Sequence, residues 1–232
     1  MVTRLRENVW WVDLQGVNAY IVDDDGVLTL VDAGMPWHHR KIARAITQVG
    51  ESIGDIDRIL LTHYDIDHVG GLGKIETLSA PVFIGSADRP FLTGEEKPAW
   101  STQKGLFQRA VDWWRTVPSL PVESIEDGDE IGSFVAYHTP GHTPGHVIYV
   151  STTLSVAFLG DLVRETGGTF RPVPRVLCQD YQQSTDTIVS LADRLPEFEA
   201  ACPGHGTPFG KRGSEHFREC ADRLRRQGPS RG

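Results

Sequence analysis

The stretch Thr62-His63-Tyr64-Asp65-Ile66-Asp67-His68 constrains this chain more than any other. Two imidazoles and two carboxylates fall between positions 63 and 68. Carboxylates at such spacing repel one another unless a cation or solvent separates them. A lone histidine at a strand end is usually structural, but this density of donors reads as a metal site. The short apolar run Ile59-Leu60-Leu61 precedes it, and Ile56 to Leu61 reads as the strand that delivers it. The glycines of Val69-Gly70-Gly71-Leu72-Gly73 then allow the backbone to pass close to something.

Three later places put a His or Asp beside a glycine after a predicted strand. They are His138-Thr139-Pro140-Gly141-His142-Thr143-Pro144-Gly145-His146, Leu159-Gly160-Asp161 and Cys202-Pro203-Gly204-His205-Gly206. Loops from a rigid sheet can converge on one point. The prolines between His138, His142 and His146 forbid one helical face; His138 and His146 read as structural or supporting. His38, His39 and His216 fall on predicted helices and read as solvated.

The rest of the chain supplies a frame. Val9 to Val12, Ala19 to Val22 and Val27 to Val31 read as antiparallel strands joined by short turns. A helix follows Pro36 up to Gly50, and a short one runs from Gly70 or Gly71 to Leu78. Pro81 to Ile84 is a strand, and Ser86-Ala87-Asp88 reads as the cap of a helix ending near Gly94. Residues 95–121 hold Trp100, Phe107, Trp113 and Trp114 and read as an aromatic helical insertion, either packed on the core or lying over the metal site. Strands follow at Val122 to Ile125, Phe134 to His138, Val147 to Val150, Val156 to Leu159 and Phe198 to Cys202. Arg164 to Gln179 reads as a loop. Helices span Ser184 to Leu195, with Ser184 as cap, and Ser214 to about Arg226; residues 227–232 read as a frayed tail. Tyr64 and Tyr181 read as facing either pocket or core.

With 232 residues, no linker and no repeat, residues 1–232 read as one domain of two strand-rich halves. A net charge of −8 argues against nucleic-acid or membrane partners, which need a concentrated positive face. No apolar run reaches the ~20 residues that span a bilayer, and Met1 to Asp13 lacks signal-peptide features. The expectation is a cytoplasmic protein. Its three cysteines, Cys178, Cys202 and Cys220, are an odd, scattered set that reads as reduced.

The order His63-x-Asp65-x-Asp67-His68, Pro140-Gly141-His142-Thr143-Pro144-Gly145, Gly160-Asp161, Pro203-Gly204-His205-Gly206 resembles the metallo-β-lactamase-fold superfamily, in its glyoxalase II- and lactonase-like members. The resemblance spans Asp32-Ala33-Gly34 to His205. It implies an α/β (α+β) chain folded as an αββα four-layer sandwich, two mixed sheets packed face to face with helices outside. It also implies a two-metal site in which His63, Asp65 and His142 hold one ion, Asp67, His68 and His205 the other, and Asp161 bridges. Asp32 takes a supporting role. Most members carry His where this chain has Asp65. A harder oxygen donor keeps Zn2+ as the first expectation but opens the site to Mn2+ or iron.

The expected activity is hydrolysis of a small ester, thioester or lactone by a metal-bridging hydroxide, with Asp67 as the catalytic proton-handling group. No Gly-x-Ser-x-Gly or phosphate-binding loop competes with this reading. The alternative is an iron-dependent oxidoreductase acting on O2 or a sulfur compound. The expected partner is a small-molecule substrate, and the surface permits a homodimer.

Overall fold

The computed structural model describes residues 1–75, 78–97 and 120–227. The first half of the chain builds a seven-stranded sheet. Its strands, in spatial order, are Val2–Arg6 (β1), Val9–Asp13 (β2), Asn18–Asp24 (β3), Val27–Val31 (β4), Arg58–Leu60 (β5), Val82–Gly85 (β6) and Val122–Ile125 (β7). β1 to β4 pair antiparallel, as short turns require, and β4 to β7 pair parallel. The parallel crossovers contain the helices His39–Gln48 (α1), Ile66–Val69 (α2) and Arg89–Thr93 (α3).

The second half contributes Glu130–Ile131 (β8), Phe134–His138 (β9), Val147–Ser151 (β10) and Val156–Gly160 (β11). A separate hairpin follows, Val163–Thr166 (β12) with Thr169–Pro172 (β13), then the helix Tyr181–Leu191 (α4). Ala200–Pro203 (β14) adds parallel to β11, giving the sheet order β14-β11-β10-β9-β8, and Gly213–Gln227 (α5) closes the described chain.

Alternation along the strands explains the layering. Tyr20 and Val22 point from β3 toward the other sheet, where Phe134, Tyr149 and Phe158 meet them. Ile21 points the other way, into a cluster with Leu30, Ile59, Ile42 and Ile46 of α1. On the far side, Ile148, Val150 and Ala157 pack with Ile188 of α4 and Phe217 of α5. Three apolar layers between four structural layers make the αββα sandwich, with both sheets mixed. Bonds between the sheets tie them at the site end: Val147 N donates to Thr62 O (2.9 Å) and the Tyr149 hydroxyl to Leu61 O (2.8 Å).

Several elements differ from expectation. β1, β8 and the β12–β13 hairpin were not foreseen, the last lying in the stretch read as a loop. In place of a helix from Gly70 to Leu78 there is the four-residue α2, then a 3-10 turn over Leu72–Lys74. The backbone of this segment is pressed against its neighbours, so a Cβ on Gly71 would come within 2.2 Å of Ala33 O. α4 starts earlier than expected because Asp180, not Ser184, caps it, accepting from Gln183 N (2.9 Å). His38 and His39 are half-buried, not solvated, and His216 stacks on Phe209 at 3.8 Å between ring centroids. Trp100, Phe107, Trp113 and Trp114, with most of the 95–121 insertion and the 228–232 end of the tail, lie outside the described residues. Among the described residues no helix is long and apolar enough to cross a membrane.

Candidate metal centre

Every predicted donor follows the carboxyl end of a strand, where the sheets end and backbone direction changes. His63, Asp65, Asp67 and His68 follow β5; His142 follows β9; Asp161 follows β11; His205 follows β14. Asp65 precedes α2, so Asp67 and His68 project from its first turns while Asp65 stays in extended backbone.

These loops bring all seven side chains together. Donor atoms of His63, His142 and Asp161 lie within 4.8 Å of one another, as do those of Asp67, His68 and His205. Asp65 Oδ2 stands 3.0 Å from His142 Nε2 and 3.4 Å from His63 Nε2. Asp161 lies between the groups: Oδ2 is 3.5 Å from His142 Nε2 and 3.3 Å from His205 Nε2, and Oδ1 is 3.4 Å from His68 Nε2. Asp67 Oδ2 lies 3.4 Å from His205 Nε2, and a third (33%) of the Asp67 side chain remains exposed, against 5% for Asp161.

The donor set fits cations. His63 Nε2 and His68 Nε2 are buried without a hydrogen-bond partner among the described residues, and such orphaned polar atoms are rare unless an ion or water completes them. Charge points the same way. Burial pushes the Asp161 carboxyl up, but His205 and His68 outweigh it and hold it well below the ordinary carboxylate range. Burial pushes the His68 imidazole down, yet Asp32, Asp161 and Asp67 raise it well above its usual value. His205, pressed down by burial and raised mainly by Asp161, reaches about 10. The cluster of carboxylates demands positive charge, supplied by protons on imidazoles or by metal ions that displace them.

A supporting shell orients the donors, as metal-binding histidines require. His68 Nδ1 lies 2.8 Å from Asp32 Oδ2, and Thr62 donates to the same carboxylate through both its N–H (2.9 Å) and its hydroxyl (2.8 Å). Asp32 adopts φ 55°, an uncommon conformation for a non-glycine residue, which aims its carboxylate inward. His63 Nδ1 faces Thr62 Oγ1 (3.0 Å), and His205 Nδ1 faces Gly16 O (2.5 Å). The His205 loop is held from β3: Asn18 donates to Pro203 O and Gly206 O, and the Tyr20 hydroxyl to Pro203 O. Gly204 is required there, because a Cβ would sit 2.3 Å from Asp161 Oδ1.

Two supporting residues carry more than sequence reasoning assigned them. His146 is fully buried, and its Nε2 accepts from Asp161 N (3.0 Å), so its proton sits on Nδ1, facing Thr139 Oγ1 (2.6 Å). Burial, then His63 and His142, push its imidazole well down, keeping it neutral. Asp88 occupies the N-cap position of α3, as expected, but its side chain makes no capping bond; it accepts from Tyr64 N, Thr143 Oγ1 and Gly145 N. Burial pushes its carboxyl up to about 6, against hydrogen bonding from Thr143. Sequence reasoning reads His146 as structural or supporting, which its bonds match, and places Asp88 only at a helix cap. Tyr64 is buried, stacked on Phe91 and bonded by Gln179 Nε2 (3.1 Å). Cys202 lies buried between the sheets.

Residues 12–205 match the family model described as the metallo-beta-lactamase superfamily. The chain is similar to a probable metallo-hydrolase, YflN, of Bacillus subtilis (strain 168), at 30% identity over 252 aligned positions covering 94% of this chain and 91% of the relative. It shares its fold with BJP-1, a subclass B3 metallo-beta-lactamase of Bradyrhizobium japonicum, at TM-score 0.67 and 22% identity, covering 97% of this chain and 92% of that one. TTHA1623, solved in a di-iron-bound form, matches at TM-score 0.64 and 28% identity, covering 83% of this chain and 88% of that one.

Proposed function

The chain belongs to the metallo-beta-lactamase superfamily and is a metallo-hydrolase, and on that premise we propose that it hydrolyses a small ester, thioester or lactone at a two-metal centre. The observation that carries this is the convergence of His63, His142 and Asp161 beside Asp67, His68 and His205, each triad with donor atoms within 4.8 Å. In our reading His63, Asp65 and His142 hold one divalent ion, Asp67, His68 and His205 the other, and Asp161 both. Divalent ions held there supply Lewis acidity and lower the pKa of water toward neutrality.

The chain's own residues do the rest. Asp67, the most exposed of the three central carboxylates, is placed to take up a proton at Oδ2 from the attacking water, beside His205 Nε2. Asp32 and Gly16 O hold the imidazoles of His68 and His205 by their Nδ1 atoms. His146, neutral and bonded to Asp161 N, fixes the bridging residue without adding charge.

Two exposed apolar side chains on segments joined to the donor loops are candidate contacts for an apolar acyl or ring group in the substrate. Trp37 is 57% exposed on the turn that packs against α2; Val176 is 60% exposed just before Gln179, whose N–H donates to His142 O. Zinc is the first choice of metal, with manganese or iron admitted by Asp65.

Elemental mass spectrometry on protein purified without added metal, paired with turnover of lactones, esters and thioesters, tests the reading. About two zinc or manganese ions per chain with turnover supports it. Iron with O2 uptake and no hydrolysis would replace it with the redox alternative. Asp67→Ala is expected to cut kcat by at least a hundredfold in metal-replete, folded protein; near-normal turnover would remove Asp67 from the chemistry.

A further inference from the structure

We propose that Asp88 is a positioning residue that sets metal affinity in the His63–Asp65–His142 half of the centre and leaves the Asp67–His68–His205 half largely alone, an inference that rests on the two-metal reading above. Asp88 is 0% exposed, and its bonds run away from its own helix. It accepts from Tyr64 N (3.2 Å), Thr143 Oγ1 (2.6 Å) and Gly145 N (2.6 Å). Tyr64 lies between His63 and Asp65, and Thr143 directly follows His142. One carboxylate therefore spans the two loops that carry the three donors of this half. The loops also meet with no room to spare: a Cβ on Gly145 would come within 2.3 Å of Asp88 N, and one on Gly85 within 2.0 Å of Gly145 O.

The other half hangs on different atoms. His68 leans on Asp32, His205 on Gly16 O, and the His205 loop on Asn18 and Tyr20. Asp88 makes none of these bonds, and among the described residues Asp32 reaches His63 through Thr62. Loss of a partner that orients a metal ligand commonly weakens binding about 10–100-fold. An amide at position 88 would turn an NH2 toward at least one of three donors, so the two loops would lose their shared register.

The test is zinc titration of chelated, full-length protein against a chromophoric chelator, with zinc counted by elemental mass spectrometry and folding checked by circular dichroism. Wild type is expected to show two binding events. Asp88→Asn is expected to weaken one event tenfold or more and to shift the other by less than about threefold. In a His205→Ala background, Asp88→Asn is expected to weaken the event that remains tenfold or more; in a His142→Ala background it is expected to shift the remaining event by less than about threefold. Thr143→Val deletes one of the three bonds at nearly constant volume and is expected to weaken the same event by a smaller factor, so it carries the test if Asp88→Asn does not fold. Equal weakening of both events, no weakening, or loss of the surviving event in the His142→Ala background would overturn the proposal. Wild type that takes up no zinc, or two events surviving in both histidine variants, would instead overturn the two-metal reading, and this inference with it.

Discussion

Asp65 gives the centre an unusual symmetry. With it, each proposed half has two imidazoles and one carboxylate, and Asp161 reaches toward both. Three carboxylates in so small a volume favour hard, doubly charged ions more than an imidazole-rich set would. Asp65→His is expected to raise the zinc-to-manganese ratio bound when both metals are offered at equal concentration, read by elemental mass spectrometry. An unchanged ratio would mean that Asp65 does not tune metal choice. The convergence of the seven candidate donors was legible in sequence because each sits in or beside a short glycine-containing motif after a strand. Asp88 and His146 were not legible at the same depth. Their work is done through backbone N–H groups of distant loops, Tyr64 and Gly145 for Asp88 and Asp161 for His146, and no local pattern encodes that.

The elements that present these residues are pinned at their far ends by a small polar knot. Asp24, at the end of β3, pairs with Arg58 of β5 and accepts from Ser133 N (3.0 Å) in the turn before β9, so it joins the two sheets. Burial pushes its carboxyl up, but the Ser133 and Arg58 bonds prevail and hold it below the usual value. A carboxyl lowered by folding stabilises the fold above its unfolded pKa, and that contribution is lost as pH falls through the folded value. Asp24→Ala, which leaves Arg58 buried and unpaired, is expected to cost about 3–5 kcal/mol at pH 7 by urea denaturation. The gap between variant and wild type should narrow toward pH 3; a gap independent of pH would show that charge at Asp24 contributes nothing. The hydrophobic strands and α1 were readable from periodicity. The β12–β13 hairpin was not, because Arg164 and Arg171 face each other across it and no apolar alternation announces it.

At the scale of the molecule, the centre and the fold are expected to stabilise each other. Asp65, Asp67 and Asp161 converge where the sheets end, and removing cations leaves their mutual repulsion. An ion present at about a thousand times its Kd adds about 4 kcal/mol, which in a chain of this size corresponds to roughly 8–16 °C in Tm. Chelation is expected to lower Tm by that order and metal replacement to restore it, followed by circular dichroism; an unchanged Tm would mean that the ions are not bound in the folded protein. The class of fold and the order of the candidate donors could be read without coordinates, because hydrophobic alternation and glycine-bounded motifs are local and each residue carries its own part of the signal. The packed structure was needed to show that Asp88 bridges the two loops carrying His63, Asp65 and His142 while Asp32 supports His68, and that Asp67 stays the most open of the central carboxylates. Those facts depend on the register and packing of strands distant in sequence, where a displacement of about one residue would turn every side chain to the opposite face.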